Sequence, residues 1–71
     1  MSWTTFQEIG KLREAAKDSV CKDIKIVIDN GIYYTFPDGM KINATNLKER
    51  SQKAITGWLN VLWTIRHGKN S

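Results

Sequence analysis

The stretch Ile24-Lys25-Ile26-Val27-Ile28-Asp29-Asn30-Gly31-Ile32-Tyr33-Tyr34-Thr35-Phe36-Pro37-Asp38-Gly39-Met40-Lys41-Ile42-Asn43 decides the fold. It holds two turn signals, Asp29-Asn30-Gly31 and Pro37-Asp38-Gly39, each closed by a glycine. Each reads as a three-residue hairpin loop, a type I turn followed by a glycine in the left-handed region. Pro37 presets the first turn angle, and Asp29, Asn30 and Asp38 favour turn conformations. Loops of this length pair Ile28 with Ile32 and Phe36 with Met40. Because side chains alternate, Ile24, Ile26, Ile28, Ile32, Tyr34, Phe36, Met40 and Ile42 then share one face. A two-residue Asn30-Gly31 loop would pair Ile28 with Tyr33 and scatter those side chains over both faces. Strands are therefore expected over about 23–28, 32–36 and 40–43, as an antiparallel meander. The second face carries Lys25, Val27, Tyr33, Thr35, Lys41 and Asn43; it is half polar and is expected to meet solvent.

Helical patterns flank this stretch. Thr5-Phe6-Gln7-Glu8 has the capping-box form, and Phe6, Ile9, Leu12, Ala16 and Val20 recur on one helical stripe. A helix is expected over about 5–20. A second is expected over about 47–66, capped by Asn46 with Glu49 as reciprocal partner and stopped by Gly68. Leu47, Ala54, Ile55, Trp58, Leu59, Val61, Leu62 and Ile65 fall in one broad arc that could cover both the sheet and the first helix. The expected fold is thus a single two-layer α+β domain over residues 1–71, helix–three strands–helix (αβββα), with both helices on one sheet face.

Composition narrows the function classes. With 41% hydrophobic and 25% charged residues, the 71-residue chain reads as an ordinary globular domain, large enough for one core. No apolar run is long enough to cross a bilayer and no signal-peptide pattern opens the chain, so a cytoplasmic protein without membrane association is expected. A lone cysteine, Cys21, and a lone histidine, His67, give neither a disulfide framework nor a metal set. Cys21 falls at a helix C-terminus, which opposes the thiolate, so it reads as an inert core thiol. The carboxylates occupy turns, caps and exposed helix positions, and no glycine-rich phosphate loop is present. No catalytic residue, metal or cofactor is expected, and an enzyme is disfavoured.

Two sets of binding residues stand out. Trp63 falls beyond the apolar arc, among Thr56, Asn60 and His67, and tryptophan is enriched among residues that dominate interfaces. The expected protein-binding set is Trp63, Asn60, Thr56, Lys53 and His67. The alternative set serves nucleic acid: Lys48, Arg50 and Lys53 at the second helix start, with Lys25, Tyr33 and Lys41 on the open sheet face. The net charge of +4 is compatible with that partner. The helix–three strands–helix order resembles that of double-stranded-RNA-binding domains, which place a basic helix start where Lys48, Arg50 and Lys53 lie. This chain lacks that family's run of lysines there and its longer first hairpin loop, so the resemblance implies topology alone.

The leading expectation is a small non-enzymatic binding protein that docks on a larger protein or ribonucleoprotein assembly. Its size suits a viral or mobile-element accessory protein that inhibits or modulates host machinery, defence complexes included. Nucleic-acid binding is the alternative. Self-association through exposed strand edges, as a structural or assembly protein, is the second.

Overall fold

The computed structural model describes residues 6–68. Along this span run α1 (Phe6–Lys17), β1 (Lys25–Ile28), β2 (Ile32–Thr35), β3 (Lys41–Asn43), a 3-10 segment (Thr45–Glu49) and α2 (Gln52–His67). The strands form one antiparallel sheet in the order β1-β2-β3. Ile28 pairs with Ile32, and Tyr34 is flanked by Ile26 and Ile42, the register expected from three-residue loops. The chain is therefore the α+β helix–meander–helix domain that its hydrophobic pattern describes.

The inward sheet face and both helices share the core. Ile32, Tyr34 and Phe36 are buried with Ile9, Leu12, Ala15 and Ala16 of α1 and Ile55 and Leu59 of α2. The Tyr34 hydroxyl donates to the Leu12 carbonyl at 2.9 Å, and Phe36 stacks on Trp63 with ring centroids 5.7 Å apart. Tyr34 and Phe36 lie on the same sheet face, so these contacts seat both helices there and leave the opposite face open. Burial pushes the Tyr34 hydroxyl pKa up, so it stays a donor.

Four features differ from expectation. First, α1 ends at Lys17, three residues short of Val20. Ser19 Oγ lies 2.8 Å from the Ala16 carbonyl and 2.6 Å from that of Cys21, a local bond that competes with continued helix. Thr5, the proposed cap of this helix, lies outside the described residues. Second, β1 starts at Lys25, β2 stops at Thr35 and β3 starts at Lys41, each short of its expected limit. Third, Asn46 does not cap α2. The Thr45 N–H donates to Asn43 Oδ1 and the Thr45 hydroxyl accepts from the Ile32 N–H, which ties this segment to the sheet as a 3-10 turn. Arg50 is extended, and Ser51 is the cap, its hydroxyl accepting from the Ala54 N–H at 3.2 Å. The far end of α2 does close on Gly68, at φ 64°.

Fourth, the two hairpin tips are not alike. At the second, the Phe36 N–H donates to the Met40 carbonyl and the Gly39 N–H to that of Phe36, each at 2.9 Å. Gly39 has φ 96°, so this is the expected turn with its glycine-closed bulge. At the first, the left-handed residue is Asn30, at φ 57°, while Gly31 has φ 153°. The tip closes by an Asp29 N–H bond to the Gly31 carbonyl at 2.9 Å. A Cβ built on Gly31 would sit 2.8 Å from Thr45 Oγ1 and 3.5 Å from the Tyr33 ring. Gly31 is there for room as well as for its positive φ, because the hydroxyl that caps β2 presses against it.

Candidate functional site

The arc assigned to α2 is two faces, and the structure separates them. Ile55 and Leu59 point into the core, with Trp63 packed against it. Trp63 is therefore not a solvent-facing residue. It lies between Phe36 and His67, whose ring centroid is 3.9 Å from its own. Its neighbours in the expected protein-binding set are also engaged inward. The Thr56 hydroxyl donates to the Ala15 carbonyl at 3.3 Å, and Asn60 Oδ1 accepts from the Val20 N–H at 2.6 Å. His67 Nε2 and Arg66 Nε lie 2.9 and 2.7 Å from Asp38 Oδ2. Of the five, only Lys53 combines exposure with none of these internal contacts. The set joins α2 to α1 and to the second hairpin.

Asp38 is the centre of that junction. Its Oδ1 accepts the Met40 N–H at 3.0 Å, while Oδ2 meets Arg66 and His67. The Met40 bond first, then Arg66, holds its pKa down at about 2. Cys21 is buried, and desolvation raises its thiol pKa, in keeping with a packed rather than reactive group. Among the described residues no three His, Cys, Asp or Glu side chains could jointly hold a metal.

The outward face of α2 is apolar where a solvated helix should be polar. Ala54, Trp58, Val61 and Ile65 follow one another at spacings of four, three and four residues, a single stripe along the helix. Val61 is 55% exposed and Ile65 73% exposed, although both were expected to pack inward. Ala54 is exposed too, and Trp58 is half-buried at the stripe's edge. Beside its first turn a groove of about 210 Å³ opens between Leu47, Arg50, Ala54, Ile55 and Trp58. Sequence reading merged the two faces because α2 has more apolar residues than one core-facing stripe requires. The heptad-like spacing was the available signal.

The alternative set divides as well. Lys25, Tyr33 and Lys41 come together on the open sheet face. Thr35 pairs with Lys25 on one side and Lys41 on the other, so these three form a row across the sheet. Val27, Tyr33 and Asn43 form the next row, and Lys41 Nζ lies 5.8 Å from the Tyr33 ring centroid. Lys48, Arg50 and Lys53 lie instead around the start of α2, where the Lys48 carbonyl accepts from Lys11 Nζ at 2.6 Å. A group that sequence reading missed extends the sheet row. Arg13, Lys17, Lys22 and Lys25 line a cleft of about 440 Å³ between α1 and β1, floored by Ala16, Ile24 and Ile26. Lys25 belongs to both the row and the cleft. Only the Arg13–Lys17 spacing of four residues was visible beforehand; the rest needs α1 set against the edge of β1.

No known family model, curated protein or solved structure matches this chain. Among the described residues no helix is long and apolar enough to cross a membrane.

Proposed function

We propose that this chain is a small non-enzymatic binding protein that docks on a larger macromolecular assembly through the outward stripe of α2. The observation that carries this reading is the exposure of Val61 and Ile65 in line with Trp58 and Ala54. Contiguous apolar surface of this kind marks interaction sites. Trp58 and Ile65 supply the anchors, and the groove beside Leu47 and Arg50 offers a seat for one partner side chain. Charge favours a foreign partner over a second copy. Arg50 and Lys53 stand at one end of the stripe and Arg66 and His67 at the other. Two copies with parallel α2 helices would bring Arg50 and Lys53 of one against those of the other, and an antiparallel pair would set them against the Arg66 that Asp38 already holds. The fitting partner is a protein with an apolar groove rimmed by acidic residues. A protein this small that covers a surface on its target suits an accessory or inhibitory role.

The test is capture on the immobilised protein, with bound proteins identified by mass spectrometry and the leading one purified for titration. The pair Val61→Asp and Ile65→Asp should weaken that purified partner's binding by at least about 30-fold, the weight of one hot spot. The thermal melt should be retained. Unchanged affinity in the double variant overturns the reading. So does sedimentation showing a wild-type dimer that the double variant dissolves, because the stripe is then covered by a second copy. If a chain lacking residues 1–5 binds far more tightly than the full chain, the stripe's resident occupant is the protein's own N-terminal segment.

A further inference from the structure

We propose that the open sheet face and the cleft between α1 and β1 together bind the backbone of single-stranded nucleic acid. Arg13, Lys17, Lys22, Lys25 and Lys41 make up five of the 11 lysines and arginines, and together they form one connected track. Within it Lys17 lies 3.5 Å from Glu14, an exposed pair that solvent and salt screen. No acidic side chain lines the cleft among the described residues. Its apolar floor of Ala16, Ile24 and Ile26 lowers the local dielectric and strengthens the pull of the four cations on an anion.

The track ends on an aromatic platform. Tyr33 stands on the central strand, half-exposed, beside the row of Lys25, Thr35 and Lys41. An aromatic ring beside cations on an open sheet is how proteins take up unpaired bases, by stacking on the ring while phosphates follow the charges. In a duplex the bases already stack on each other, and a flat sheet cannot reach their faces. The Lys25, Tyr33 and Lys41 part of the surface lies on the other side of the sheet from α2, and the cleft is lined by α1 and β1 rather than by α2, so the track can be occupied while the α2 stripe is docked.

The experiment is fluorescence anisotropy with a labelled oligothymidylate of about 20 nucleotides, its duplex, and polyglutamate as competitor. The single strand should bind more tightly than the duplex. Three to five phosphate contacts at about 0.7 each predict a slope of log affinity against log salt of about −2 to −3.5. Lys22→Glu with Lys25→Glu should weaken binding by about ten-fold or more, and Tyr33→Leu, which keeps an apolar side chain without the ring, by about five-fold. Lys53→Glu, on the other helix, serves as control and should change it by less than about two-fold. Should the double reversal lower the thermal melt, Lys22→Gln with Arg13→Gln replaces it. The proposal falls if the single strand does not bind at low salt, if the duplex binds as well, or if Lys53→Glu costs as much as the cleft pair. Equal displacement by polyglutamate would assign the track to an acidic protein segment instead.

Discussion

Asp29-Asn30-Gly31 and Pro37-Asp38-Gly39 each join paired strands through three residues, and each ends in glycine, but their glycines answer different demands. Gly39 supplies a backbone angle: its φ is 96°, and a Cβ there would meet nothing within 4 Å. Gly31, itself at φ 153°, supplies space as well: a Cβ would meet Thr45 Oγ1 at 2.8 Å. The tips also differ in what they touch. The second is clamped to α2 through Phe36 on Trp63 and Asp38 on Arg66 and His67. The first is tied through the Thr45 hydroxyl to the segment leading into α2, and Ile28 beside it is 58% exposed. A turn's sequence reports its local angles well. It does not report which distant group has been built against it.

The largest effect should come from removing the clamp. Trp63→Ala takes away the ring between Phe36 and His67, and about 3 kcal/mol of stability should go with it, read as a shifted urea midpoint. Trp63→Phe keeps a stacked ring and should lose less than half of that. If Trp63→Ala instead leaves the midpoint in place, the second tip is not held by α2 and the contrast between the tips disappears. Next is the pair of glycines. Gly31→Ala should cost about 2–3 kcal/mol, because it strains φ and displaces the hydroxyl that satisfies the Ile32 N–H. Gly39→Ala should cost about 1–2 kcal/mol, the price of a left-handed backbone alone. Thr45→Ser, which keeps the hydroxyl and frees its rotation, should narrow the gap between the two glycine variants. Equal losses for both would show that the Thr45 contact yields freely.

Acid offers a subtler comparison. The Asp38 pKa is lowered from 3.8 to about 2 in the folded chain, so folding favours its ionised form. Its contribution is present above the unfolded value and is lost as pH falls from 3.8 toward about 2. Urea midpoints measured from neutral pH down through that window should fall less steeply for Asp38→Asn than for the wild type. If Asp38→Asn tracks the wild type throughout, neither the Met40 bond nor the contacts with Arg66 and His67 contribute to that slope.

What could be read beforehand follows the range of the cause. The meander was legible because alternation and loop length are local: Ile28 opposite Ile32 needs only the residues between them. Gly68 as the stop of α2 was legible for the same reason. The Ser51 cap was hidden because Asn46 and Glu49 match the capping pattern equally well, and what rejects them is Thr45 bound to Ile32 across the sheet. Trp63 was misplaced by centring the α2 arc on all its apolar residues, when those at 54, 58, 61 and 65 form a second, outward face. The cation cleft needs Arg13 and Lys17 of α1 beside Lys22 and Lys25, and no local pattern specifies that apposition.

The smallest effect tests the first tip's remaining peculiarity. Asn30 holds φ 57°, a region most side chains avoid and asparagine tolerates. Glycine there would remove the residual strain but give the unfolded chain more freedom to lose on folding. These terms oppose each other, so Asn30→Gly should move stability by less than about 0.5 kcal/mol in either direction. Asn30→Ala keeps the strain without asparagine's tolerance and should cost about 1 kcal/mol. Alanine proving as stable as asparagine would mean that the tip relaxes to a turn without a left-handed residue at position 30. Gly31 would then be able to take over the left-handed angle, as Gly39 does at the other tip.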